Sequence, residues 1–202
     1  MRSDRSSAKK ARPRPSARAL AVIVAVVALF GAGIAIVATP GRSPPDLIGG
    51  SFTLQAADGE TLTDADLKGR PFLVYFGYTH CPDVCPTTLA EISDVLRRIP
   101  DKPIRALFVT VDPERDTPAA MADYVSSFDP RIIGLSGSPE QIATIEKGYR
   151  VYARKGPLRA DGDYAMDHSS VVYLMDKNGA FVEALNLDRP RDDVAKELAA
   201  YF

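Results

Sequence analysis

The sequence predicts an α/β fold, a sandwich built on a mixed sheet, preceded by an N-terminal transmembrane helix. Two patterns carry this expectation: an unbroken apolar run over 19–38, and beyond it short apolar strands alternating with amphipathic helical stretches. Length supplies the bound. A chain of 202 residues, 46% hydrophobic and 25% charged, buries one sizeable core and leaves no room for a multidomain arrangement.

The elements follow in order along the chain. Residues 1–19 form a basic tail with Arg2, Arg5, Lys9, Lys10, Arg12, Arg14 and Arg18 against Asp4, a charge of about +6. With a formal total of -1, the remainder carries about -7. That balance removes the electrostatic footprint of nucleic-acid binding from the folded part. Residues 20–38 continue the run ALAVIVAVVALFGAGIAIVA, which has no polar side chain. Twenty helical residues span roughly 30 Å, the thickness of a bilayer's hydrocarbon core. A signal peptide's apolar region is shorter, and a core helix shows a polar face, so an uncleaved anchor is the reading, with Gly33-Ile34-Ala35 as the competing cleavage site. The basic tail keeps the N-terminus cytoplasmic by the positive-inside rule. A single-pass inner-membrane protein with a periplasmic C-terminal domain is therefore expected; a mitochondrial inner-membrane protein is the competitor, because the tail is also rich in Arg and Ser. Residues 39–46 make a stiff proline-bearing linker.

Residues 47–202 are the expected soluble domain. FLVYFGY (72–78) and IRALFVTVD (104–112) are buried-strand runs, and 85–99 places Leu89, Ile92, Val95, Leu96 and Ile99 at helical spacing. Thr117-Pro118 opens a second helix, and Ser138-Pro139-Glu140-Gln141 opens a third with a capping box. RIIGL (131–135) is a strand between them. After a loop over 155–168, SVVYLM (170–175) and AFVEALN (180–186) flank the turn Asp176-Lys177-Asn178-Gly179 as a hairpin. Asp188 is placed to cap a final helix over 189–201.

Both cysteines fall in THCPDVCP (79–86), where a strand gives way to a helix, the place where α/β sheets build sites. Two cysteines exclude a disulfide-dense scaffold and a multi-cysteine zinc array. Pro86 suits the first helical position, so Cys85 is expected at the helix N-terminus, where the macrodipole favours a thiolate. A spacing of four brings the two sulfurs close enough to share a metal or a disulfide; an inert structural bridge is the bland alternative, although so small a loop adds little stability. His80 adjoins Cys81 and points to the other face, so it reads as a neighbour rather than a ligand. His168, at the end of the polar loop, is the candidate third ligand. Two thiolates and one imidazole form a soft set suited to Cu(I), whereas structural zinc wants a fourth protein ligand. Asp112 and Asp116 read as turn and cap residues ahead of a direct role, Asp83 as a solvated or partner-facing loop residue, and Met166 as packing ahead of a soft ligand. Asp167 reads equally as a surface carboxylate or as an orienter of His168. Tyr75, Tyr78, Tyr164 and Tyr173 read as core or pocket walls.

FGYTHCPDVCPTTL (76–89), VDPERDTP (111–118) and DYAMDHSSVVYLMDKNG (163–179) resemble the three signature blocks of the Sco/SenC family of copper-binding cytochrome c oxidase assembly proteins. The resemblance runs over nearly all of 47–202 and is loosest in the loop before His168. It implies a thioredoxin-like fold and copper, as Cu(I) or Cu(II), held by Cys81, Cys85 and His168. It also implies membrane-anchored delivery of copper, received from a donor chaperone, to the binuclear CuA site of cytochrome c oxidase subunit II. The alternative within the same resemblance is a thiol-disulfide oxidoreductase that uses Cys81 and Cys85 to reduce the cysteines of that site. Three residues rather than two separate the cysteines, and the segment Asp167-His168-Ser169-Ser170 holds no proline, so metal binding leads. A peroxidase of the peroxiredoxin kind is weaker still, since its activating Thr and Arg constellation is not evident.

Overall fold

The computed structural model describes residues 48–56 and 59–202. The basic tail 1–19, the apolar run 20–38 and the linker 39–46 lie outside the described residues. Among the described residues, no helix is long and apolar enough to cross a membrane.

A short N-terminal hairpin, β1 (Thr53–Gln55) and β2 (Thr61–Thr63), leads through a 3-10 turn into β3 (Phe72–Gly77). Then come α1 (Val84–Arg97), β4 (Arg105–Thr110), α2 (Pro118–Val125), β5 (Ile132–Leu135) and α3 (Pro139–Tyr149). A second small hairpin, β6 (Ala153–Lys155) with β7 (Met166–His168), precedes β8 (Val172–Met175), β9 (Phe181–Ala184) and α4 (Arg191–Ala199). The main sheet has the order β5-β4-β3-β8-β9, parallel from β5 to β3 and antiparallel from β3 to β9. The mixed sheet expected from the alternation of elements is therefore present, and every residue of its central strand β3 is buried.

Successive side chains of β3 point to opposite faces, and each face meets a different set of helices. Tyr75 stacks on Phe108, which stacks on Tyr124 of α2. Gly77 is on the same side and faces Cys85 of α1, and α4 packs on α1, tied by Arg98–Asp192 (2.6 Å) and Arg191–Glu91 (2.5 Å). On the other face Phe76 meets Tyr149 of α3 and Tyr173 of β8. The helix starts read from sequence hold: Thr117 accepts from the Ala120 N–H, and Ser138 and Gln141 exchange both capping-box bonds. Before β1, the Gly49 N–H donates to the Gly148 carbonyl at the end of α3 (3.0 Å).

Three readings are corrected. The loop 155–168 is in part a hairpin, since β6 and β7 pair antiparallel with Ala153 opposite His168. The last helix begins at Arg191 with Pro190 at its cap and no side-chain cap; the Asp188 N–H instead bonds to Asn186 Oδ1, which turns the chain before the helix. The first long helix starts at Val84, so Pro86 lies in its first turn rather than at its first position.

A candidate metal centre at the end of the central strand

Strand β3 stops at Gly77, and a Cβ there would lie 2.8 Å from Cys85 Sγ and 2.6 Å from Phe108 Cε2. Only glycine lets α1 approach the strand this closely, and the approach seats the Cys85 sulfur on the sheet end. Asp83 caps α1 by position but makes no side-chain cap bond. The Cys85 N–H, one of the free donors of the first turn, points instead at Cys81 Sγ, 3.3 Å away. The positive end of the helix thus serves the sulfur of Cys81. Cys85 itself is fully buried, and burial, with Cys81 as a neighbour, pushes its thiol up to about 12. Burial therefore works against the expectation that the helix end favours a Cys85 thiolate.

His168 comes to the same point from β7. Its Nε2 lies 3.7 Å from Cys85 Sγ, its Nδ1 lies 3.1 Å from the Ser169 carbonyl, and the Tyr78 ring meets it edge-on at 5.7 Å. A proton assigned to Nδ1 donates to that carbonyl, which leaves the Nε2 lone pair facing the sulfurs. One ligand atom each from Cys81, Cys85 and His168 lies within 4.8 Å of the others. The orienting acceptor is a backbone carbonyl, so Asp167 is the surface carboxylate of the two alternatives, on the exposed side of β7. Met166 packs on the core, and all four tyrosines singled out are buried. His80 stays out of the cluster: it is exposed, with Nδ1 3.0 Å from Thr79 Oγ1.

The VDPERD segment does more than turn the chain. Asp116 is fully buried and accepts from the Thr79 N–H (3.0 Å), Thr79 Oγ1 (2.5 Å) and Thr110 Oγ1 (2.7 Å). Asp112, also buried, accepts from Arg115 Nε (2.5 Å) and the Tyr164 hydroxyl (2.8 Å). Asp112 does open a turn, its carbonyl accepting from the Arg115 and Asp116 N–H groups, while the two carboxylates fasten the arms of the site to the sheet end instead of capping a helix. Arg115 was missed altogether; the signal available was a charged triplet, Glu114-Arg115-Asp116, inside a block already singled out.

A thioredoxin-like α/β domain with two cysteines on the strand-to-helix turn and a histidine brought in by a hairpin defines a class of thiol and soft-metal proteins. The comparisons specify it further. A model of the family described as SCO1/SenC matches residues 40–202, and the chain belongs to that family. It is 44% identical over 160 residues to the mitochondrial Protein SCO2 homolog of Bos taurus, a match covering 75% of this chain and 60% of the bovine protein. Bradyrhizobium japonicum ScoI, solved with copper bound, is 54% identical with a TM-score of 0.73, covering 77% of this chain and 99% of that one. BsSco, in which a disulfide switch is described and which is called a member of the Sco family of cytochrome c oxidase assembly proteins, is 24% identical with a TM-score of 0.63; the match covers 80% of this chain and 96% of BsSco and attests the fold.

Proposed function

We propose that this chain is a membrane-anchored copper metallochaperone whose cargo, Cu(I), is held by Cys81, Cys85 and His168 and passed to the CuA site of cytochrome c oxidase subunit II. The observation that carries the reading is the convergence of two sulfurs and an imidazole nitrogen within 4.8 Å, a soft donor set matched to Cu(I). Copper bound to the Bradyrhizobium japonicum relative supports the same cargo. Transfer proceeds by ligand exchange without change of oxidation state: an incoming thiolate or imidazole replaces these ligands in turn. His168 is held by a two-stranded hairpin outside the main sheet, so it is the ligand placed to leave first. Equilibrium dialysis of the detergent-solubilised chain against Cu(I) is expected to give about one ion per chain, with a sharp loss on Cys81→Ser or His168→Ala. Full stoichiometry in both variants overturns the reading.

A second reading is favoured by the asymmetry of the cysteines. Cys81 is partly exposed and receives an N–H, while Cys85 is buried beside it. That is an arrangement for attack by one sulfur and resolution by the other. The Cys81 thiolate attacks a substrate disulfide and releases one substrate thiolate, which takes up a proton. Cys85 then loses its proton and attacks Cys81 Sγ, releasing the second thiolate. The substrate gains two electrons and this chain is left with a Cys81–Cys85 disulfide. Metal-free His168→Ala protein that still reduces an oxidised CuA domain at the wild-type rate points to this chemistry; lost turnover points to the metal site.

A further inference from the structure

We infer that Arg115 is a positioning residue that latches the β6–β7 hairpin and thereby holds His168 at the copper-binding sulfurs, an inference that rests on the copper reading above. The hairpin is a separate two-stranded sheet, so its seat on the domain depends on side chains reaching across to it. Ala153 and Met166 pack on the core, and the charged ties come from 112–115. Arg115 is largely buried; its Nε bonds to Asp112, and its Nη1 bonds to both Asp163 Oδ1 (2.6 Å) and the Tyr164 carbonyl (3.0 Å). Its guanidinium also lies 3.6 Å from the Tyr164 ring centroid and 5.8 Å from that of Tyr78, the ring that meets His168. Beside it, Tyr164 donates to Asp112 and Lys155 pairs with Glu114 (2.5 Å).

Tyr164 lies two residues before β7, so the latch closes four residues from His168. The same segment grips the other arm, because Asp116 holds Thr79, two residues before Cys81. The short loop 112–116 therefore spans both halves of the site and sets their separation. A planar fork with several donors suits this role: it binds a carboxylate, a carbonyl and an aromatic face together, which a lysine ammonium cannot reproduce.

The test uses the full chain in detergent, loaded with Cu(I) in competition with a chromophoric Cu(I) chelator. Arg115→Ala is expected to weaken Cu(I) binding about 10–100-fold, the range found when the partners that orient metal ligands are removed. The imidazole contribution to the copper X-ray absorption spectrum should fall with it. Arg115→Lys, which keeps a cation beside buried Asp112, is expected between wild type and Arg115→Ala, and it carries the test if the alanine variant fails to fold. The double variant Arg115→Ala/His168→Ala should bind no more weakly than His168→Ala alone, since a residue acting through His168 has nothing left to position. Wild-type affinity and an unchanged imidazole signal in the Arg115 variants overturn the inference, as do losses that multiply in the double variant. If His168→Ala itself binds as wild type does, the copper reading falls and this inference with it; a normal His168→Ala loss beside unaltered Arg115 variants removes only the latch.

Discussion

Replacing Asp116 tests how the sheet end is held together. The carboxylate is fully buried and receives three hydrogen bonds, two from Thr79 and one from Thr110. Hydrogen bonds to charged groups contribute about 1.5–3 kcal/mol each, but they share one acceptor group and do not add fully. Asp116→Ala removes the acceptor of one backbone N–H and two hydroxyls, and leaving a buried donor unsatisfied costs about 1–3 kcal/mol. Asp116→Asn behaves differently. Its amide oxygen takes over the Thr79 N–H and the Thr110 hydroxyl, its NH2 turns toward Thr79 Oγ1, and the loss is about 1–2 kcal/mol, chiefly the charge. The chain has no Trp, so guanidinium unfolding is followed by tyrosine fluorescence or near-ultraviolet circular dichroism, with the two variants compared at equal denaturant dependence. An Asp116→Ala protein within about 1 kcal/mol of wild type would refute the account. Equal losses in the two variants would show that charge, not the hydrogen-bond pattern, matters.

Other perturbations probe separate parts of the argument. Gly77→Ala forces a methyl group against Phe108 and Cys85 Sγ; an expected loss of about 1–3 kcal/mol, read from the denaturation midpoint, checks the close approach of α1 to β3. Alkylation should separate the cysteines: a thiol pushed from 9.0 up to about 12 has roughly a thousandfold less thiolate at neutral pH, so iodoacetamide followed by peptide mapping should label Cys81 first, and equal labelling contradicts the assigned burial. Half-buried Glu146 has its carboxyl raised from 4.5 to about 7 by desolvation. Between those values the folded chain keeps a proton that the unfolded chain has released, so this group's contribution to stability falls as pH rises through the window. Glu146→Gln is therefore expected to stabilise by about 1 kcal/mol at pH 8, after allowing for solvent screening, and by almost nothing at pH 4. A benefit of equal size at both values rules out the burial argument.

Legibility in the sequence tracked how local each signal was. The capping box of Ser138 and Gln141 and the Thr117-Pro118 start are local chemistry, and both helices begin where those residues place them. The strands over 72–77 and 105–110 are apolar at their buried positions apart from Thr110, and equally plain. The hairpin Ala153–Lys155 with Met166–His168 was not legible, since two three-residue strands of mixed polarity carry no alternation and are held by contacts to 112–115. Cysteine spacing marked the turn as a site, yet which sulfur faces the helix end depended on the depth to which Gly77 admits α1. Asp112 and Asp116 looked like turn residues because proline and threonine surround them; their partners Tyr164 and Thr79 lie 52 and 37 positions away, a distance no local pattern spans.

The bond from Gly49 to Gly148 has a mechanical consequence. Gly49 sits by Met175 and Gly179, and Met175 pairs with Phe72, the first residue of β3, whereas the thiols lie beyond Gly77 at its last. Six strand residues cover roughly 20 Å, so Gly49 and the two sulfurs stand at opposite poles of one stiff rod. A pull applied at Gly49 is borne at the Phe72 end, and the sulfurs at the other end are spared the load.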